Sequence, residues 1–210
     1  MSHLLPEEET TLENYNEFAN AWAKARNVKN FWVQEMQLFH KLLPCGTILE
    51  IGSGHGRDAA ELLDLGYEYV GTDISEGLLK IVKGRFPNQQ FYRQSVYDLS
   101  FPKGPKFDGF WAAAVLLHIP KSRIAEALQA IRSVVKPGAI GFISLKDGQG
   151  EGLQRDIVGE ATMYRLFSYW SKEGFEQTLK DNNYDLVDYI FRPVSDETKW
   201  HNFFVKTLED

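Results

Sequence analysis

Cysteine is nearly absent from these 210 residues, with Cys45 the only one. An internal disulfide is therefore excluded, and a reducing, cytoplasmic setting is expected. Lying just before the first predicted strand, Cys45 reads as a small apolar residue rather than a nucleophile. Positive charge is also scarce: 23 Lys and Arg face 29 Asp and Glu, for a net charge of −6. A generic nucleic-acid surface needs a basic excess or stripe, so no nucleic-acid partner is expected. No apolar run approaches the roughly 18 residues of a membrane span, and residues 1–9 lack the basic and apolar regions of an export signal. The five histidines, at 3, 40, 55, 118 and 201, form no i, i+4 pair and adjoin no acid cluster. That argues against a metal site.

What is present suits one packed domain over 1–210, with 43% hydrophobic and 13% aromatic residues. Apolar spacing by threes and fours marks residues 11–43 as helical, through Leu12, Tyr15, Phe18, Ala19 and Trp22, then Phe31, Trp32, Met36 and Phe39. From Thr47 onward strands and helices alternate, the pattern of a parallel sheet with crossover helices. Strands are expected at Thr47–Ile51, Tyr67–Thr72 and Gln90–Arg93, and later at Tyr184–Arg192 and Trp200–Leu208. Ser75, Ser122 and Ser171 stand where helices begin. Residues 153–169 show no strong period, and Gly148, Gly150 and Gly152 precede them as hinges, so this stretch is expected to be a mobile cover.

The sharpest signal is Ile48-Leu49-Glu50-Ile51-Gly52-Ser53-Gly54-His55-Gly56-Arg57. An apolar strand carrying an acid runs into three glycines at alternate positions and then into a helix beginning Asp58-Ala59-Ala60. Such an abrupt turn needs positive φ or missing Cβ atoms, and the helix start offers free N–H groups to a ligand. Nineteen residues after Gly54, Val70-Gly71-Thr72-Asp73 ends the next apolar stretch with a carboxylate, where a doubly wound sheet places its ribose-binding acid. The third glycine comes one residue too early for the dinucleotide pattern GxGxxG, and Arg57 stands in its place.

ExGxGxG followed by an acid at the end of the second strand resembles the class I S-adenosylmethionine-dependent methyltransferases. The stretch from Lys106 through Ala113 to His118-Ile119-Pro120 is similar to that family's fourth strand, and Lys136-Pro137-Gly138 to the turn opening its fifth. The resemblance implies a Rossmann-like α/β fold with a seven-stranded, mostly parallel sheet in the order 3-2-1-4-5-7-6, strand 7 antiparallel, and an N-terminal helical lid. It divides the chain into a lid (11–43), a cofactor-binding core (47–146), a substrate cover (147–170) and a closing helix with two strands (171–208). The implied cofactor is S-adenosyl-L-methionine, the product S-adenosyl-L-homocysteine, and the partner a small-molecule acceptor, anionic ones included, served by a monomer or homodimer. The implied cofactor residues are Glu50, Gly52, Ser53, Gly54, Gly56, Arg57, Asp73, Ile74, Ser95, Val96, Tyr97 and Ala113.

Several residues carry two readings. Glu50 positions the cofactor's methionine end or caps nearby N–H groups. Arg57 holds a carboxylate or solvates the helix start. Ser95 stands where many members carry Asp, which leaves backbone contacts from Val96 and Tyr97. At the substrate end, Tyr15, His118, Lys146 and Arg165 are candidate pocket residues, with a core aromatic, a helix-start polar residue and solvated loop charges as the alternatives. No catalytic base is assigned. The competing functions are a NAD(P)-dependent Rossmann oxidoreductase and an S-adenosylmethionine-binding protein without turnover.

Overall fold

The computed structural model describes residues 3–101 and 107–209. Its sheet begins where the apolar runs predict. The first strand, β1 (Thr47–Ile51), pairs in parallel with β2 (Glu68–Asp73) on one side and with β4 (Phe107–Ala113) on the other. Beyond β2 lies β3 (Gln90–Arg93), and beyond β4 lies β5 (Val135–Lys146), both parallel. The closing strands are β9 (Lys199–Thr207), antiparallel to β5, and β8 (Tyr184–Pro193), antiparallel to β9. The order is thus β3-β2-β1-β4-β5-β9-β8, the expected topology, with its switch point between β1 and β4. Ligands of open α/β sheets sit beyond the strand ends at such a point.

Alternation along each strand sends neighbouring side chains to opposite faces. Trp111 stacks on Phe142 with ring centroids 3.9 Å apart and meets Phe39 of α3 (Val33–Leu42). Its neighbour Phe110 turns the other way toward Tyr184, whose hydroxyl donates to the Leu128 carbonyl of α6 (Ile124–Val134) at 2.9 Å. All of these rings are fully buried, and burying one such side chain is worth about 1.5–3 kcal/mol. The remaining crossovers are α4 (Arg57–Asp64), α5 (Glu76–Arg85) and α7 (Lys172–Asp181). Ser75 and Ser171 cap α5 and α7 by accepting from the N–H groups of Leu78 and Gly174. Ser122 lies instead in a short 3₁₀ turn ahead of α6. Among the described residues no helix is long and apolar enough to cross a membrane.

Besides Ser122, four expectations need correction. The N-terminal helical region starts at Pro6 rather than residue 11 and is broken into α1 (Pro6–Glu17), α2 (Ala19–Ala25) and α3. Proline suits a first helical turn, and the Glu8 carboxylate accepts the Leu5 N–H at 2.9 Å, a start signal that apolar periodicity overlooks. The second strand runs one residue later than expected, ending on Asp73 itself. Lys136-Pro137-Gly138 lies inside β5, where the pairing slips between Phe107 and Gly109, so it is an irregularity in the strand rather than its opening turn. The aperiodic segment is a hairpin, β6 (Glu151–Val158) and β7 (Ala161–Ser168), forming its own two-stranded sheet. Lys106 lies outside the described residues.

Candidate active site

The three alternate glycines of the β1–α4 turn have φ of +70°, +55° and +82°, and each does something different. A Cβ on Gly52 would lie 2.5 Å from the Val115 side chain, and one on Gly56 would lie 2.6 Å from Val82 and 2.8 Å from Phe86. Those two glycines let neighbouring segments close in. A Cβ on Gly54 would meet nothing nearer than the Gly52 carbonyl at 4.0 Å. Its bare face is open, and it looks into a cavity of about 480 Å³ beyond the ends of β1 and β4. That volume is in the usual range for small-molecule sites.

Of the expected cofactor residues, all but Gly56 line this cavity. Asp73 is held at its floor by backbone donors, among them the Gly54 N–H at 2.7 Å and the Ser75 N–H at 2.8 Å. Burial still pushes its carboxyl up to about 6, with those donors opposing the rise. Glu50 is buried at the end of β1, accepts the Tyr69 hydroxyl, and is driven well above the usual carboxylate range by burial and then by the nearby Asp58. Arg57 turns back onto Asp58, donating at 2.9 Å from its terminal nitrogen, and lies 5.2 Å from the Phe31 ring. Asp58 also accepts the Trp111 indole N–H at 3.0 Å. The sequence reading missed Asp58, although its place beside Arg57 was a usable signal. Ser95 is buried, and its hydroxyl accepts the Tyr97 N–H at 3.3 Å, so it shapes its own turn.

A sulfonium nucleoside fits this donor set. Asp73 can accept from two vicinal hydroxyls, and Gly54 leaves room for a ligand against the backbone. Among the described residues, the Ser53 hydroxyl and His55 Nε2 are buried without a hydrogen-bond partner, and both residues line the cavity. Orphaned polar atoms of this kind call for a ligand or a water.

The far end of the cavity is closed by α1, α2 and the β6–β7 hairpin. All four residues expected there (Tyr15, His118, Lys146 and Arg165) line it. Alternate residues of β7 point inward, which brings Arg165 to the cavity wall between the rings of Trp22 and Phe167, at 4.6 and 4.8 Å. Its two terminal nitrogens are committed: one donates to the Tyr15 hydroxyl at 2.8 Å, the other to Asp156. Asp156 also faces Arg26 at 3.4 Å. Lys146, at the end of β5, makes no ion pair among the described residues and sits 4.2 Å from the Phe167 ring. Burial, then Arg165, depress its ammonium from the usual lysine value. His118 is pushed down to about 3 by burial and by Arg165, so it is neutral at physiological pH. The roof is tied at several points. Glu8 accepts from the Tyr97 hydroxyl and from Arg123, and Asn16 from the Ser75 hydroxyl and the Gly77 N–H. Thr11 and Asn14 accept the N–H groups of Leu166 and Tyr164. Arg26 and Glu8 escaped sequence reading because each acts through partners distant along the chain, and Asp156 because its pairing with Arg165 needs the hairpin register.

Comparison with known proteins agrees with this geometry. Residues 48–138 match the family model described as a methyltransferase domain. A ubiquinone biosynthesis O-methyltransferase from Roseobacter denitrificans is 25% identical over 162 residues, covering 70% of this chain and 64% of that protein. The match therefore spans less than two thirds of the relative's length. Among solved structures, a 1,6-didemethyltoxoflavin-N1-methyltransferase from Burkholderia thailandensis has a TM-score of 0.72 at 17% identity, covering 100% of this chain and 93% of its own. A methyltransferase from Methanosarcina mazei has a TM-score of 0.72 at 18% identity, covering 82% and 98%.

Proposed function

Because the chain belongs to the class I S-adenosylmethionine-dependent methyltransferase family, we propose that it transfers a methyl group from S-adenosyl-L-methionine to a small acceptor, leaving S-adenosyl-L-homocysteine. The observation that carries this reading is the meeting of Gly54 and Asp73 on the cavity floor, an open backbone face beside a buried carboxylate. When bound, the methyl donor supplies an activated sulfonium, which is already a good leaving group.

The chain's own contribution is placement and dryness. Asp73 accepts from the ribose hydroxyls. Gly52, Ser53 and Gly54 present backbone and a free hydroxyl, Ile74, Val96 and Tyr97 flank the base, and Ala113 closes the end of β4. Glu50, Arg57 and Asp58 form the polar end near α3. The hairpin and α1 cover the acceptor half and exclude water. Holding two reactants in line lowers a barrier by up to about 7–11 kcal/mol in well-oriented systems.

The acceptor we favour is a small anion. Arg165 donates from its terminal nitrogens to Tyr15 and Asp156, and Lys146 adds a half-buried ammonium beside an aromatic wall, without an ion pair among the described residues. Arg26, Lys146 and Arg165 outnumber Asp156 at that end, which leaves it net positive. The protein would act in the cytoplasm, where its exposed Cys45 stays reduced. Calorimetry with S-adenosylhomocysteine and with NAD, followed by a labelled-methyl screen over small carboxylates and phosphates, tests this function. Binding of NAD as tight as that of S-adenosylhomocysteine refutes it, and cofactor binding with no labelled product assigns a binding role without turnover.

A further inference from the structure

At the acceptor end one hydrogen-bond chain has its direction fixed by chemistry. The Leu166 carbonyl can only accept, so the contact of 2.6 Å from His118 Nδ1 places that ring's hydrogen on Nδ1. Nε2 is left with a lone pair, and the Tyr15 hydroxyl lies 2.9 Å from it. The Tyr15 oxygen already receives a hydrogen from Arg165 at 2.8 Å. Its own hydrogen therefore points at Nε2. A phenolic oxygen both donates and accepts, and the Tyr15 oxygen, beside the Arg165 N–H it receives, belongs to a residue that lines the cavity.

We propose that the Tyr15 hydroxyl removes the proton that a neutral hydroxyl or amine group of the acceptor must lose, relaying its own proton to His118 Nε2, with Arg165 as the positioning residue; this deepens the methyl-transfer reading and rests on it. As the acceptor's O–H or N–H bond breaks, its hydrogen goes to Tyr15 Oη, and the Tyr15 hydrogen goes to Nε2. The acceptor's freed electron pair forms the bond to the methyl carbon, and the carbon–sulfur pair leaves on sulfur. The products are a neutral methylated acceptor group, a neutral thioether, a restored tyrosine and a His118 imidazolium. The positive charge has moved from sulfur to the ring.

The charged groups around this pair are Arg165 and Asp156 on the hairpin, Arg26 at the end of α2, Lys146 on β5 and Asp73 on β2. Arg165 and Lys146 oppose protonation of His118, and burial opposes it more strongly. An anionic acceptor beside Lys146 offsets both cations, so His118 takes up a proton more readily with the acceptor seated than without it. The competing account is that Tyr15 and His118 merely pin α1 to the loop after β4.

Histidine-labelled protein in its S-adenosylhomocysteine complex separates the two accounts by nitrogen NMR. The expected result is a neutral His118 with its hydrogen on Nδ1, whose pKa rises when benzoate is added as the anionic probe. A hydrogen on Nε2 overturns the proposal, as does a benzoate-saturated complex with an unmoved His118. The kinetic arm uses 4-hydroxybenzoate as acceptor. Tyr15→Phe should lose on the order of 10²–10⁴-fold in kcat near neutral pH, with cofactor affinity and KM held, and should converge on wild type as the phenol ionises by itself. His118→Gln should show the same convergence. Equal kcat, or a loss that is constant across pH, overturns the relay. Failure of the parent reading looks different, because S-adenosylhomocysteine then does not bind at all.

Discussion

The role proposed for Asp73 links cofactor binding to pH in a way that can be measured on two independent axes. Its folded carboxyl stands at about 6 against an ordinary 3.8, because burial outweighs the backbone N–H groups that serve it. The folded state therefore holds a proton that the unfolded chain releases between those values. The stabilisation attributable to Asp73 is complete at low pH and is lost as pH rises toward 6, with no further loss above it. Two units amount to about 3 kcal/mol. Binding runs the opposite way, since ribose hydroxyls donate to a carboxylate and favour its charged form. Affinity for S-adenosylhomocysteine should fall by up to roughly tenfold for each pH unit below about 6. The experiment is titration calorimetry and urea unfolding of wild type and Asp73→Asn from about pH 5 to about pH 8, taking differences so that Glu50 and the other carboxyls cancel. Wild-type affinity that is flat across this window, or a stability difference that does not change with pH, refutes the account.

Other outcomes follow from the same contacts. Gly54→Val should stay folded and lose at least about a hundredfold in S-adenosylhomocysteine affinity, because its side chain enters the cavity; wild-type affinity would place the site elsewhere. Gly56→Val meets Val82 and Phe86 and should instead lower the melting temperature, which thermal unfolding reports directly. Trp111→Phe removes the indole donor to Asp58 and should cost about 1–3 kcal/mol, read as a lower urea midpoint. Glu8→Ala unties α1 from Tyr97 and Arg123, so amide exchange should quicken in α1 while β1 and β4 keep their protection.

The parts legible from the chain were those governed by local rules. Glycine spacing, the acid ending β2 and the apolar runs of β1, β4 and β5 gave the sheet and the cofactor half of the cavity. The hairpin stayed hidden because its inward positions carry Arg165 and Asp156 beside Met163, so alternation in space is not alternation in hydrophobicity. Arg165 illustrates a second limit. Its position at the pocket was foreseen, yet its ties to Tyr15 and Asp156 were not. Partners separated by up to 150 residues leave no trace in a local pattern. Gly56 shows the converse: it belongs to the motif, yet it serves the packing of α5 on the turn.

The ties of α1 also have a consequence for the order in which the molecule is built. Glu8 waits for Tyr97 and Arg123, which are 89 and 115 residues later, and Asn14 and Thr11 wait for partners 150 and 155 residues away. Helix α1 is thus among the last of these elements to find its neighbours, and closing such long loops is entropically slow. While synthesis is under way, the β1–β2 floor with its glycine turn can assemble as an uncovered trough. A nascent chain would meet its nucleoside ligand from an open side that the finished protein covers.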